Sequence, residues 1–220
     1  MLCRGEPEKC FIIPISRKFE SQIMEKLSFK SLTPKTWSDF EKLFGANGAC
    51  GGCWCMWWKI KRSEFKAQKG EKNKIAMRAI VDAGEMPGLI AYLDHEPIGW
   101  CAVAPRDVYP VLDNSRVLKR VDEKKVWSIT CLFITKEFRR KGVSAELLKA
   151  AVEFVRKQGG KLVEGYPVEP KSEKMPDAFA WTGLASAYTK AGFKEVIRRS
   201  DTRPIMRYEI AAKGNDVDHR

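Results

Sequence analysis

The sequence predicts a mixed α/β fold in which a central, mostly antiparallel sheet is flanked by helices. Three patterns lead to this prediction: a β-hairpin over residues 88–104, a strand–turn–helix unit over residues 126–157, and two alternating strand patterns over residues 194–210. Because short connections join antiparallel strands, the hairpin and the final pair favour an antiparallel sheet. Helices placed between the strands would then cover the faces of that sheet.

The first half of the chain supplies one strand and a helical layer. Residues 27–32 alternate apolar with polar side chains, which predicts a strand. Thr33-Pro34 is typical of a helix start, and the helix that follows should end near Gly45. Residues 54–83 are rich in helix formers, are interrupted once by glycine, and predict one or two helices that end at Gly84.

The middle of the chain contains the hairpin and the strand that follows it. Residues 88–93 and 98–104 read as apolar strands around a polar turn. A polar connection over residues 105–125 then leads to residues 126–134, a nearly continuous run of β-branched and aromatic side chains. Such a run predicts a strand that is buried on both faces.

A basic turn with a glycine connects this strand to the next helix, at residues 145–157. Glycine lets the backbone approach a ligand closely, and the unpaired N–H groups and positive dipole end of a helix start favour phosphate. The turn therefore predicts a pyrophosphate site, unless it is an ordinary capped helix with a solvated basic turn. The predicted site consists of Arg139, Arg140 and Lys141, which supply charge, Gly142 at the close approach, and Val143, Ser144 and Ala145, which supply amides.

The last part of the chain continues the alternation of strands and helices. It predicts a strand at residues 161–166, a helix at about 181–191 that ends before Gly192, and a final antiparallel pair over residues 194–210. Tyr188 lies in that helix, one turn before the glycine.

Two motifs in this order resemble the GNAT superfamily of N-acetyltransferases. Arg139-x-x-Gly142-x-Ser144 has the spacing of the family's Q/R-x-x-G-x-G/A turn, and the Tyr-Thr-Lys-Ala-Gly-Phe sequence at residues 188–193 matches its Y-x-x-x-G-F. The resemblance covers residues 27–210 and extends to a poorly characterised bacterial subgroup. It implies a GNAT domain at residues 26–212, an N-terminal extension at 1–25 and a polar C-terminal tail at 213–220.

The resemblance also implies the reaction, in which a primary amine attacks the thioester of acetyl-CoA directly. In the family, the strand before the turn splays from its neighbour and pairs with the pantetheine arm, and Phe133 and Ile134 match those positions. A backbone N–H there stabilises the oxyanion. Tyr188 matches the family's general acid, which protonates the departing thiolate. The alternative is a tyrosine that packs on its helix face with Leu184 and Ala191.

The general base is the point at which the sequence departs from the family. The position of the glutamate that some members use holds Ser128, which cannot act as that base. Glu164, in the following strand, is the substitute that the sequence offers, directly or through water; the alternative is a solvent-facing strand residue. Trp181 stands where many members have asparagine, and Ser144 stands where they have glycine or alanine.

Residues 47–58, rich in cysteine and tryptophan, have the most unusual composition in the chain. Aromatic rings bury area and attract cations, so Trp54, Trp57 and Trp58 could form a wall for the amine acceptor. The predicted acceptor site consists of Trp54 and Trp57 with Trp127; the alternative is that these rings belong to the core. Zinc usually takes four ligands in paired clusters, and both histidines are isolated, so no metal is expected.

Composition limits the partners and the compartment. The 220 residues carry a formal charge of +12, which favours anionic partners, but the basic residues are dispersed and no nucleic-acid motif accompanies them. No apolar run reaches the roughly 18–20 residues of a membrane span, and no export signal is recognised. Seven cysteines, an odd number, favour a reducing cytoplasm. We expect a cytoplasmic acetyltransferase, monomeric or homodimeric; the alternative is a non-catalytic acyl-CoA-binding sensor.

Overall fold

The computed structural model describes residues 24–171 and 180–211. The expected tail at 213–220 and residues 1–23 of the expected extension lie outside this part of the chain. The described strands are β1 Leu27–Ser31, β2 Gly88–Leu93, β3 Glu96–Pro105, β4 Trp127–Ile134, β5 Leu162–Gly165, β6 Lys194–Arg198 and β7 Pro204–Glu209. They form one seven-stranded sheet in the order β1-β2-β3-β4-β5-β7-β6.

Parallel pairing occurs between β4 and β5, and the other neighbouring pairs of the described sheet are antiparallel. The two strands joined by the polar turn, β2 and β3, form the predicted hairpin. The final pair, β6 and β7, is antiparallel as its sequence pattern predicts. The predicted mixed, mostly antiparallel sheet is therefore confirmed.

The described helices are α1 Trp37–Phe44, α2 Arg62–Gln68, α3 Glu71–Asp82, α4 Pro110–Asp113, α5 Val143–Lys157 and α6 Ala185–Lys190. Before α1, Thr33 donates its backbone N–H to the hydroxyl of Thr36 at 2.9 Å, which caps a short 3-10 turn. The predicted helix at 181–191 begins later, because Gly183 has a φ of +85° that a helix cannot accept. No described helix has the length and apolar character of a membrane span.

Two apolar layers cover the sheet. On one face, α5 packs its predicted apolar side, which includes Leu147, Ala151 and Val155, against the sheet together with α6. On the other face, α1 and α3 pack on side chains such as Trp100 of β3. Each strand of the sheet centre is therefore buried on both sides, which is why its sequence reads as a continuous apolar run.

The sheet opens at the end of β4. Pairing between β4 and β5 runs only from Trp127 to Ile129, so the last five residues of β4 have an edge that β5 does not cover. A β-bulge lies at the same place, because Val103 pairs with Ile129 while the preceding residue of β3 pairs with Cys131. Bulges of this kind re-aim side chains and interrupt pairing. The uncovered edge of β4 faces the cavity described next.

Candidate functional site

A cavity of about 1030 Å³ lies at the C-terminal end of β4. Its lining comes from β4 itself, from the start of α5, from the segment at 49–58 and α2, and from the turn at 180–184. This volume is slightly above the roughly 300–1,000 Å³ range of small-molecule sites. The uncovered strand edge and the predicted phosphate turn thus open into one space.

The predicted phosphate turn forms the start of α5. Gly142 is the N-cap residue in the left-handed conformation, with φ at +81°, and α5 begins at Val143. The first backbone N–H groups of a helix have no partner within the helix, so this end of α5 is suited to an anion. Arg139, Arg140, Val143 and Ser144 line the cavity.

Three residues of the predicted phosphate site, Lys141, Gly142 and Ala145, are not part of the cavity lining. Ala145 donates its backbone N–H to the carbonyl of Gly142 at 3.0 Å, so this amide belongs to the turn itself. Lys141 places its Nζ 5.3 Å from the ring centroid of Phe138. Arg139 donates from Nε to the carbonyl of Ile134 at 2.9 Å, which ties the basic turn to the end of β4.

The hydrogen-bond direction along β4 decides which backbone groups face the cavity. Thr135 donates its N–H to the carbonyl of Ile98 at 3.0 Å, and donors alternate along a strand, so the N–H of Phe133 also points toward β3. The N–H groups of Leu132 and Ile134 point to the uncovered edge. Leu132 already donates to the carbonyl of Trp181 at 2.7 Å. Of the two predicted residues, Phe133 therefore contributes its side chain to the cavity and Ile134 its backbone edge.

The family model described as the acetyltransferase (GNAT) family matches residues 54–173, more than half of the 220-residue chain. The chain belongs to the GNAT family. A search of curated proteins finds no match. The matched span contains the basic turn, β4 and the last five residues, 54–58, of the cysteine- and tryptophan-rich segment.

Solved structures show the same fold. A GNAT acetyltransferase from Listeria monocytogenes 4b F2365 aligns with a TM-score of 0.51 at 10% identity, covering 84% of this chain and 95% of that one. One from Streptococcus agalactiae 2603 aligns at 0.50 and 14% identity, with 84% and 96% covered. The PaiA N-acetyltransferase from Thermoplasma acidophilum, solved in complex with coenzyme A, aligns at 0.46 and 16% identity, with 84% and 99% covered.

Tyr188 lies behind the cavity of this GNAT protein rather than in its lining. Its ring is fully buried between two glycines: a Cβ on Gly165 would lie 2.1 Å from the ring, and one on Gly183 would lie 2.8 Å from it. The hydroxyl donates to the carbonyl of Thr182 at 3.2 Å. Burial raises the pKa of Tyr188 well above its usual value, so the phenol stays protonated.

Glu164 belongs to a buried ion-pair network. It neither lines the cavity nor faces solvent. Its carboxylate accepts from Nε of Arg207 at 2.8 Å, from Arg106 at 3.2 Å and from the hydroxyl of Tyr166 at 2.7 Å. Both carboxylate oxygens are thus occupied, which opposes a base function. Ser128 joins the same network through a hydrogen bond with Tyr166 at 2.7 Å. Sequence reasoning missed this network, because its members are far apart in the chain.

The predicted aromatic site is divided among three places. Trp57 lines the cavity. Trp54 is buried in the core, stacked on Phe44 at 5.5 Å. Trp127 points to the opposite face of the sheet, where its ring meets Phe154 of α5 at 5.9 Å. The substrate prediction for Trp54 and Trp127 therefore does not fit the structure, and strand alternation explains the second case.

Other aromatic side chains take the place of these two. Trp58, Phe65 and Trp181 line the cavity beside Trp57. Trp181 stacks on Trp58 with ring centroids 5.7 Å apart and lies 6.3 Å from Trp57, edge to face. Trp181 occurs where many GNAT sequences have asparagine, so the sequence marked it as a departure. Its contact with a segment more than a hundred residues earlier in the chain was not visible from the sequence.

Four cysteines line the cavity, and burial makes two of them poor nucleophiles. Burial raises the pKa of Cys53 to about 11, and it raises that of Cys55 well above the usual value. Cys55 accepts a hydrogen bond from Nε1 of Trp100 at 2.9 Å. The part of the chain that the structure describes contains no group of three or more His, Cys, Asp or Glu side chains that could hold a metal ion.

Proposed function

We propose that this GNAT protein is an N-acetyltransferase that moves the acetyl group of acetyl-CoA to a primary amine. The observation that carries the proposal is that the basic turn and the uncovered edge of β4 open into one cavity. A phosphate group at the turn and a thioester at the strand edge could therefore belong to one bound molecule. The odd number of cysteines supports the expected cytoplasmic location.

The cofactor part of the site uses the start of α5. In this proposal, Arg139 and Arg140 neutralise the pyrophosphate, and the backbone N–H groups of Val143 and Ser144 donate to it. The pantetheine arm then runs along the uncovered edge of β4. Along this edge, the N–H of Leu132 donates to the carbonyl of Trp181, so the arm can use that N–H only after it displaces Trp181.

The chemical step is direct attack of the amine nitrogen on the thioester carbon. Negative charge develops on the thioester oxygen, and the N–H of Ile134 stabilises it, joined by that of Leu132 when Trp181 moves. The attacking nitrogen then loses one proton to solvent, and collapse of the tetrahedral intermediate breaks the carbon–sulfur bond, forms the amide and releases the thiolate of CoA. Tyr188 gives that thiolate its proton, which requires its hydroxyl to leave the carbonyl of Thr182, and the phenolate then regains a proton from solvent.

No described carboxylate is placed to act as the base, so the surroundings must favour the neutral amine. Lys59 lies outside the cavity lining, next in sequence to the cavity residue Trp58, and burial lowers the pKa of its ammonium group to about 8. An acceptor ammonium in similar surroundings loses its proton more readily than in water. The proton can then pass to solvent before the attack.

Two measurements with purified protein test the function. Calorimetry should show acetyl-CoA binding, and Arg140→Glu should weaken it by about tenfold or more, since a positive charge at the pyrophosphate becomes negative. Lys149→Glu makes the same change on α5 away from the cavity and serves as the matched control. The second measurement is the release of free CoA from acetyl-CoA in the presence of a panel of amines, and we expect release with at least one of them. Binding without release for every amine would instead indicate a non-catalytic acyl-CoA sensor.

A further inference from the structure

The acceptor side of the cavity is lined by aromatic rings from three separate segments. We call Trp57, Trp58, Phe65 and Trp181 the aromatic compartment. Trp57 meets Phe65 edge to face at 5.0 Å, and Trp58 and Trp181 are stacked, so the rings support one another. Such rings present large apolar faces at little conformational cost, which suits a flat apolar ligand group.

The charges around this compartment are positive. The described lining residues include no Asp or Glu; of their three cations, Arg139 and Arg140 belong to the pyrophosphate turn and Lys69 lies on the acceptor side. Arg62 adds a fourth cation, with its guanidinium 5.0 Å from the centroid of Trp57. A site of this sign repels an acceptor that carries several positive charges and attracts one with a negative group.

Lys69 is the cationic lining residue that lies outside the phosphate turn. The backbone beside it is fixed, because Gly70 donates its N–H to the carbonyl of Gly52 at 3.0 Å. Asn73 of α3 donates to the same carbonyl at 3.0 Å, which joins the end of α2 to the cysteine-rich segment. The backbone of Lys69 is therefore fixed at the cavity, while its side chain is exposed and forms no ion pair with a described carboxylate.

We propose that the acceptor is a small aromatic amine that also carries a carboxylate, as a free aromatic amino acid does. The ring packs in the aromatic compartment, and the carboxylate pairs with Lys69. This inference rests on the proposed function, since it places the acceptor amine in the same cavity as the thioester. It excludes polyamines and lysine-rich peptides as preferred acceptors.

Calorimetry in the presence of saturating CoA tests the inference with four probes: L-phenylalanine, L-alanine, phenethylamine and spermidine. We expect L-phenylalanine to bind at least about tenfold more tightly than L-alanine or spermidine. Lys69→Glu should weaken the binding of L-phenylalanine by about tenfold. It should not weaken the binding of phenethylamine, which lacks the carboxylate. Lys66→Glu makes the same charge change three residues earlier, in α2 and outside the cavity lining, and it should alter the dissociation constant of L-phenylalanine by less than about twofold.

The inference and the proposed function fail in different ways. Equal or tighter binding of spermidine or L-alanine, equal effects of the two lysine variants, or no binding of any probe would overturn the acceptor class. Acetylation of spermidine alone would do so while leaving the acetyltransferase function intact. Selective L-phenylalanine binding without CoA release from acetyl-CoA would support the acceptor class and count against the function.

Discussion

Burial determines what the individual side chains of this site can do. Tyr188 is fully buried and its pKa is raised, so it can hold a proton but cannot release one to water at neutral pH. Glu164 is equally buried, yet two guanidinium groups keep both of its oxygens occupied. The sequence identifies both as polar residues near the motifs. Whether each has a catalytic or a structural role depends on its contacts in the folded protein.

Tyr188→Phe tests the proton donor. We expect the turnover number to fall by about a hundredfold or more, because the thiolate then leaves unprotonated, while the dissociation constant of acetyl-CoA changes little. Tyr208→Phe is the matched control, since this half-buried tyrosine of β7 packs on Phe193 away from the cavity. Stopped-time product analysis and calorimetry give the two quantities. Equal turnover in the two variants would leave Tyr188 with a packing role only.

The cysteines should differ in reactivity at fixed pH. With a pKa of about 11, Cys53 carries only about a thousandth of its thiol as thiolate near pH 8, and the thiolate is the nucleophile. Alkylation of Cys53 should therefore be slow and should accelerate as the pH rises toward 11, whereas the exposed Cys50 reacts first. Peptide mass spectrometry after iodoacetamide treatment measures both rates. Fast modification of Cys53 at neutral pH would contradict its burial.

At the scale of elements, the start of α5 and the uncovered edge of β4 form the site. The sequence predicts both, because a continuous apolar run marks the strand and a basic glycine turn marks the helix start. It does not predict the late start of α6, because Tyr188 continues the helical spacing while Gly183 interrupts the backbone. The turn this creates brings Trp181 to β4, a contact between residues about fifty positions apart.

Gly142→Ala tests the helix start. Residue 142 has a φ of +81°, so an alanine there costs about 1 kcal/mol of stability and distorts the turn. We expect acetyl-CoA to bind about tenfold more weakly. Gly159→Ala is the matched control, with a φ of +77°, no atom within 4 Å of the added Cβ, and a position just beyond the other end of α5. The Gly159→Ala variant should lose similar stability in urea unfolding but keep its affinity for acetyl-CoA. An equal loss of affinity in both variants would contradict the assignment of the turn.

At the scale of the whole molecule, the sheet order and the two apolar layers follow from the sequence patterns, whereas the polar network within them does not. Arg106, Glu164 and Arg207 come from a loop and from two neighbouring strands, and each alone resembles a surface residue in sequence. The same limit applies to the aromatic compartment, whose rings are assembled from three segments. Long-range contacts between ordinary residues leave no local pattern to read.

Glu164→Gln tests the network. Removing the charge leaves two buried guanidinium groups without their shared partner, so the free energy of unfolding should fall by about 3–5 kcal/mol. Glu169→Gln removes a half-exposed partner of Arg198 and should cost less than about 1 kcal/mol. Urea denaturation gives both values. Similar costs for the two variants would show that the network contributes no more than a surface pair.

Mass spectrometry of the reaction products tests whether this chain transfers an acetyl group. Purified protein would be incubated with acetyl-CoA carrying an isotope-labelled acetyl group and with representative primary amines, and the mixture analysed for labelled product. We expect a labelled N-acetyl amine together with an equal amount of free CoA. Intact acetyl-CoA with no labelled amide for any acceptor would contradict it.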